Sequence, residues 1–383
     1  MYKILSCILK RSLSFFLATV TVIGSLFFSA CSSNSGGREI SVKHPVLQDT
    51  LVTIPSDTSV TVIAVGDIML GSAYKSVYDL PADSGVNSFK QVKPFLKEGN
   101  VVFGNLEGCL LDTGNSTKCK LKKNCLAFRS PENYVRILKD AGFNLLSLAN
   151  NHAGDFGDIG RTTTLKRLQE SDIKCGGLIK HPSSVLEVKG VKYGFCSFSP
   201  NDGTLSIYDR DNISKLIGEL KATCDIVIVS FHGGGEGKDY QHVTRKTEFY
   251  FSEDRANPYS FAHYAIDAGA DLVLGQGPHV TRAVEVYHNK FIAYSLGNFC
   301  TYGLFSLQGP NGYAPLLKIS ITKQGDFIQA KVHSVMQTDK DGLTIDSTGR
   351  AYQKIVQLTG EDFPGHSLNF SSDGVITPKP MLQ

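Results

Sequence analysis

Val60-Thr61-Val62-Ile63-Ala64-Val65-Gly66-Asp67-Ile68-Met69-Leu70 decides how this chain is read. It opens with a β-branched run that is too short for a helix and too apolar for an exposed strand, so it reads as a buried central strand. The same texture returns in Val101-Val102-Phe103, Leu145-Leu146-Ser147-Leu148, Ile226-Val227-Ile228-Val229, Leu272-Val273-Leu274 and Phe291-Ile292-Ala293-Tyr294. Such repetition predicts a covered sheet. Apolar residues at helical spacing lie between the strands: Phe89, Val92 and Phe95; Tyr134, Ile137 and Leu138; Leu165 to Leu168; Ile213 to Leu220; Phe261 to Ala268. Ser130-Pro131 suits an N-cap and first helical position for the second of these. Strand alternating with helix is the α/β signature. Val185 to Phe198, turning at Lys189-Gly190, and Leu317 to Val335, turning at Lys323 to Asp326, read instead as hairpins, which makes the sheet mixed or pairs it with a second one. The tail from Ser347 has weak periodicity and is expected at the periphery.

The residues just after each apolar run carry the functional reading. In open α/β sheets ligands bind beyond the carboxyl ends of the strands, where the loops diverge. The strand ends here are Gly66-Asp67, Gly104-Asn105-Leu106-Glu107, Asn150-Asn151-His152, His232-Gly233-Gly234-Gly235-Glu236, Gly275-Gln276-Gly277-Pro278-His279 and Ser295-Leu296-Gly297-Asn298. Each alone has an ordinary structural explanation as a turn, a cap or a hydrogen-bonded histidine. Turns require Gly, Asn and Asp, however, and have no need of three histidines and two glutamates. Convergence on one pocket is the expectation.

The chain has 383 residues, enough for one large core with appendages, and a formal charge of +3. Lys3, Lys10 and Arg11 precede an apolar run from Leu13 to Phe28, the pattern of a secretory signal. Phe28-Ser29-Ala30-Cys31 resembles a lipoprotein cleavage site, with Cys31 as the lipidated residue and an uncleaved membrane anchor as the alternative. Residues 1–30 would be the signal, 31–58 a lipidated cysteine and tether, 59–340 the folded domain and 341–383 an extension. Either reading of the N-terminus places the domain outside the cytoplasm, in the cell envelope. Removing residues 1–30 takes away those three positive charges and no negative one, leaving a balanced chain with no basic patch for nucleic acid. Of nine cysteines, Cys119 and Cys125 share a short insert with Lys118, Lys120, Lys122 and Lys123 and are positioned to close a disulfide loop, with Cys109 a rival partner. Cys175, Cys196, Cys224 and Cys300 sit in apolar surroundings and read as buried thiols.

Carboxylates and Asn mixed with imidazoles suit Mn, Fe or Zn. A histidine outside the ligand set could give a proton to a leaving group. No Gly-x-Ser-x-Gly elbow and no Gly-x-x-x-x-Gly-Lys phosphate loop occurs.

The motif order Gly66-Asp67-Ile68-Met69, Gly104-Asn105-Leu106-Glu107-Gly108, Asn150-Asn151-His152, His232-Gly233-Gly234-Gly235-Glu236, Pro278-His279-Val280 and Tyr294 to Phe299 resembles the CapA family of capsule and poly-γ-glutamate biosynthesis proteins. The resemblance covers roughly residues 60–300 and implies a fold similar to calcineurin-like metallophosphoesterases: a four-layer αββα sandwich of two mixed β-sheets flanked by helices. It would give metal-binding roles to Asp67, to Glu107 or Asn105, and to Asn151, His232 and His279, with one or two divalent ions. His152 would be the general acid, and Glu236 would support His232 or contact substrate. Met69 stands where phosphoesterases place a His, and Gln276-Gly277 where an extra His often precedes Pro-His. Arg129, Arg282 and Asn298 are candidates to hold an anionic substrate, because a guanidinium pairs bidentately with carboxylate or phosphate. The implied function is a metal-assisted hydrolase or transferase in the synthesis or export of an envelope or capsular polymer. Its partners would be that anionic polymer or its synthesis machinery, and the membrane through the lipid anchor. A non-catalytic polymer-binding subunit and a generic phosphoesterase are the alternatives.

Overall fold

A computed structural model describes residues 59–74, 76, 79–119, 125–338 and 342–380. The expected signal segment, the lipidated Cys31, the linker up to residue 58, and Lys120, Lys122 and Lys123 lie outside the described residues.

The opening stretch forms β1 (Ser59–Met69), flanked by the parallel strands β2 (Val101–Leu106), β3 (Leu145–Ser147) and β4 (Lys174–Gly176). A second sheet holds β5 (Ser183–Val188), β6 (Val191–Phe198), β7 (Ile226–His232), β8 (Leu272–Gln276), β9 (Val284–Tyr287) and β10 (Lys290–Ala293), in the order β9-β10-β8-β7-β6-β5. The chain then returns to the first sheet. There β11 (Asn298–Thr301) runs parallel to the end of β1, and the hairpin of β12 (Tyr313–Thr322) and β13 (Phe327–Thr338) lies antiparallel along its other edge. β14 (Gly342–Ile345), β15 (Leu368–Phe370) and β16 (Val375–Pro378) complete ten strands, with the main path β15-β16-β13-β12-β1-β2-β3-β4. Both sheets are mixed, as the two hairpins required.

Alternation along the strands builds the layers, since successive side chains point to opposite faces. Val60, Val62 and Ala64 face inward and join Phe103, Phe195, Ile228, Leu274 and Phe291 in one apolar cluster between the sheets. Ile63 and Val65 face outward, toward Val92, Leu96, Leu138 and Leu168 of α1 (Lys93–Leu96), α2 (Val135–Ala141) and α3 (Gly157–Glu170) and the turn before α1. On the second sheet Val227, Val229 and Phe231 face outward to Ile213, Ile217, Phe261 and Ala262 of α4 (Arg210–Lys221) and α5 (Pro258–Asp267). Helices, sheet, sheet, helices: the architecture is the αββα sandwich. Each fully buried Val, Ile or Phe contributes about 1.5–3 kcal/mol, so the three clusters supply the main driving force.

Two expectations are corrected. Ser130 does not cap a helix; it pairs with Leu110 in a short parallel bridge, and its Oγ donates to the Gly71 carbonyl at 2.7 Å. Pro131 is instead the residue before a 3-10 turn at Glu132–Tyr134 that leads into α2. The tail is not peripheral either. α6 (Arg350–Asp362) buries Ile355, Leu358 and Thr359, and Leu368 and Ile376 of β15 and β16 enter the inter-sheet core. No helix among the described residues is long and apolar enough to cross a membrane.

Candidate metal centre at the strand ends

β1 bends where it delivers Asp67. Its register with β2 shifts between Ala64 and Asp67, and Gly66 passes so close to the neighbouring loop that a Cβ there would lie 1.9 Å from the Gly297 carbonyl oxygen. Only glycine fits at that crossing. Asp67 then stands in register with Asn105 of β2 and Asn298 of β11.

A continuous row of hydrogen bonds starts from this carboxylate. Asn105 Nδ2 donates to Asp67 Oδ1 at 2.8 Å, and Asn150 Nδ2 donates to Asn105 Oδ1 at 3.0 Å and to the Leu106 carbonyl at 2.9 Å. The His152 backbone N–H donates to Asn150 Oδ1 at 3.0 Å, and the His152 ring places Nδ1 2.7 Å from Asp155 Oδ2. Asp155 is fully buried, accepts the Phe128 N–H at 2.7 Å, and has Lys118 Nζ 3.1 Å from its other oxygen. The His152 ring stacks on Phe128 with centroids 3.9 Å apart. With Nδ1 held by Asp155, Nε2 is the nitrogen left for chemistry.

His279 links this row to the second sheet. Its backbone is left-handed, with φ 58°, a conformation that costs a non-glycine residue of order 1 kcal/mol and marks functional sites. The Asn311 amide holds its carbonyl at 3.3 Å. His279 Nδ1 lies 2.9 Å from Asp67 Oδ2, while Nε2 lies 3.7 Å from Glu107 Oε1 and 3.9 Å from Glu236 Oε2. Asp67, Glu107 and His279 thus offer three ligand atoms within 4.8 Å of one another.

The donor set fits a divalent cation. Both oxygens of Glu107, Nε2 of His232 and Oδ1 of Asn151 are buried and have no hydrogen-bond partner among the described residues. Buried polar atoms are rarely left so; the Glu107 and Asn151 oxygens are lone-pair donors of the kind Mn, Fe or Zn accepts, and His232 Nε2 is one in the tautomer that carries its proton on Nδ1, 3.5 Å from the Asn105 amide. Burial pushes the Glu107 carboxyl well up, against the opposing charge of His279. Burial depresses His279, yet the negative charges of Glu107 and Asp67 outweigh it and push the ring up to about 10. Glu107 and His279 therefore both favour their protonated forms, and a cation bound between them would compete with that proton. Burial also drives His232 well down, keeping its ring neutral, the form a metal requires.

The remaining candidates fall differently. Asn105 has both amide ends committed within the row, so of Glu107 and Asn105 it is Glu107 that has free oxygens. Glu236 does not brace His232; its Oε1 accepts from Arg255 Nη1 at 2.6 Å. Arg129 spends its two terminal nitrogens on the Gly114 and Ala73 carbonyls at 2.7 and 2.9 Å. Arg282 is buried in a two-bond pair with Glu248 at 3.0 and 2.7 Å, with Nε on the Tyr240 carbonyl. Neither arginine is turned toward the cluster. Asn298 donates to the Asn311 carbonyl at 3.2 Å and keeps Oδ1 buried without a partner. Met69 is buried, and its sulfur receives the Gly71 N–H at 3.3 Å. Cys119 and Cys125 form the disulfide, leaving Cys109 a buried free thiol like Cys175, Cys196, Cys224 and Cys300.

Sequence reasoning named Asn150 within the Asn150-Asn151-His152 motif and Lys118 within the cysteine insert without giving either a site role, and it passed over Asp155 and Arg255. The Asp three residues after His152 was a readable signal; Arg255 was not marked by spacing. The centre reaches solvent along His152, His279 and Glu236, whose side chains are 9%, 10% and 17% exposed. Phe305 stands against that opening, 5.1 Å by ring centroid from both Phe128 and His279.

Residues 61–302, which run from β1 through β11, match the family model described as bacterial capsule synthesis protein PGA_cap. The chain is 31% identical over 258 residues to the capsule biosynthesis protein CapA of Bacillus anthracis, covering 62% of this chain and 59% of that protein. It is 29% identical over 261 residues to the PGA biosynthesis protein CapA of Bacillus subtilis, covering 64% of each. The matched region therefore spans about three fifths of the length of these relatives. Among solved structures, a purple acid phosphatase from yellow lupin seeds (Lupinus luteus) aligns with a TM-score of 0.37 and 9% identity, over 76% of this chain and 53% of that one.

Proposed function

The chain belongs to the bacterial capsule synthesis family, and from that premise we propose that it is a metal-assisted hydrolase or transferase acting on an anionic, poly-γ-glutamate-like polymer of the cell envelope. One observation carries the proposal: Asp67, Glu107 and His279 offer three ligand atoms within 4.8 Å of one another, and both Glu107 oxygens are buried without a hydrogen-bond partner among the described residues. Asp67, Glu107 and His279, joined by His232 and Asn151, would hold one or two divalent ions. When bound, such an ion supplies Lewis acidity toward a carbonyl or phosphoryl oxygen and lowers the pKa of water.

The chain's own residues set the rest. Asp155 orients His152 through Nδ1 and stabilises its protonated form against the depressing effect of burial. Nε2 then passes a proton to the leaving group at the mouth of the centre. The Asn105–Asn150 brace keeps Asp67 and His152 at a constant separation, and Phe128 fixes the plane of the imidazole. Phe128 and Phe305 limit water at the opening.

A lipid anchor at Cys31 and a location outside the cytoplasm belong to the same proposal. The Cys119–Cys125 disulfide supports it, since such bonds persist in oxidising compartments. Replacing Cys31 with Ser should release the chain from the membrane fraction; retention there would refute the anchor.

For the centre, protein lacking residues 1–30 is dialysed against Mn, Fe or Zn and desalted. It should retain about one or two ions per chain, the stoichiometry of mono- and binuclear hydrolytic sites. No retained metal, with His152→Ala leaving γ-glutamyl polymer turnover unchanged, would defeat the enzymatic reading. The second reading, a polymer-binding subunit without catalysis, is favoured by Met69, whose sulfur is already engaged by Gly71. Polymer binding without turnover would select it. Turnover of simple phosphoesters alone would select a generic phosphoesterase.

A further inference from the structure

Arg129 and Arg282 give both terminal nitrogens elsewhere, whereas Arg255, bonded to Glu236, keeps Nε and one terminal nitrogen without a partner among the described residues. Arg255 follows the strand pair Phe249–Tyr250 and Glu253–Asp254 and is 2% exposed. Its backbone ties it to the second-sheet loop: its N–H donates to the Glu248 carbonyl at 2.8 Å, and its carbonyl accepts the Gly234 N–H at 2.7 Å. Gly234 lies between His232 and Glu236, so Arg255 is fastened to the segment that carries two of the candidate site residues.

The guanidinium is half used. Nη1 donates to Glu236 Oε1, whose partner oxygen lies 3.9 Å from His279 Nε2. Nε and Nη2 are buried and have no hydrogen-bond partner among the described residues. These two nitrogens lie on one edge of the planar fork, the edge that makes two parallel hydrogen bonds to a carboxylate or a phosphate. The cation's field reaches the centre, acting on both Glu107 and His232. The carboxylates of Asp67, Glu107 and Glu236 make this interior repel anions, and Lys118 on the far side is engaged with Asp155. Arg255, although paired with Glu236 through Nη1, is thus a cation on the Glu236 side that keeps spare donors.

We infer that the Nε–Nη2 edge of Arg255 receives an acidic group of the substrate, a carboxylate or a phosphate, at the Glu236 side of the centre. The inference rests on the reading of the centre given above and adds the point at which the anionic substrate attaches. Glu236 then has a positioning role, holding the guanidinium so that its free edge is presented.

Metal-loaded wild type, Arg255→Lys and Arg255→Gln are compared by thermal-shift titration with two probes, inorganic phosphate and γ-glutamylglutamate. Metal content is measured on the same samples. Wild type should bind at least one probe, and the probe it prefers separates a phosphate from a carboxylate source. Arg255→Lys keeps the charge but loses the two-pronged edge, and should weaken binding about tenfold or more with metal content unchanged. Arg255→Gln should abolish it. Equal probe affinity in wild type and Arg255→Lys overturns the inference, because ordered water then satisfies the edge. Wild type that retains metal but binds neither probe also overturns it, while leaving the metal centre intact. If wild type retains no metal, the metal reading fails separately, and the same titration on that protein still decides the role of Arg255.

Discussion

Two groups of side chains face each other across His279, and they are built on opposite terms. The row Asp67, Asn105, Asn150, His152, Asp155 is hydrogen-bonded from end to end. Glu107, His232 and Arg255 are equally buried, yet both Glu107 oxygens, Nε2 of His232 and the Nε–Nη2 edge of Arg255 have no hydrogen-bond partner among the described residues. A satisfied row keeps its shape without a ligand, because breaking any link strands a buried polar group. The unsatisfied set is held in place by the surrounding fold, and it is the set that the proposed cation and anionic substrate would satisfy. In the proposed function the first group orients Asp67 and His152, and the second holds the atoms that a ligand would satisfy.

The contrast can be tested in order of effect. Metal removal comes first: with the ion at a thousand times its Kd, chelation should lower the unfolding free energy by about 4 kcal/mol. A midpoint that does not move with chelator in urea unfolding would mean that the unpartnered set awaits no cation. Next, Asp67→Ala in the metal-free protein removes the partner of both Asn105 and His279. It should cost about 3 kcal/mol, as breaking a buried charge pair does. A loss below about 1 kcal/mol would show that the row is not the rigid element.

Asp155→Asn should cost about 2 kcal/mol through the weakened bonds to His152 and the Phe128 N–H. It should also lower turnover with little change in metal content; equal loss of both would place Asp155 in the metal site rather than behind His152. Smallest is Glu107→Gln, which replaces a buried carboxyl whose oxygens have no hydrogen-bond partner among the described residues. The metal-free protein should keep its stability to within about 1 kcal/mol. Metal retention should nevertheless fall, and a large loss of stability without metal would show that Glu107 belongs to the scaffold.

The sequence was read well where short continuous apolar runs end in polar residues. All six apolar runs became strands, both hairpins turned where expected, and the histidines and carboxylates of the strand ends came together. Reading failed where a side chain's direction decides its partner. Arg129 and Arg282 follow motif residues in sequence but point into carbonyls and Glu248, and nothing in local spacing records that. Arg255 lies nineteen residues beyond Glu236 in sequence and meets it only because the intervening segment doubles back. Ser130-Pro131 carries a helix-start pattern, but the longer-range bond to Gly71 and the pairing with Leu110 claimed Ser130 first. The tail looked aperiodic because its apolar residues are divided between a helix and two short strands that close the inter-sheet core.

By itself the sequence determined the layered α/β architecture and the end of the sheet at which chemistry collects. Both come from strand alternation and from where apolar runs stop, which are local properties. Which lone pairs are satisfied and which are left free was decided only by tertiary structure. That outcome depends on distances between groups far apart in the chain: Asp67 to His279, Asn105 to Asn150, Glu236 to Arg255. A residue's type states what bonds it can make, but only the folded packing determines which of them are already made.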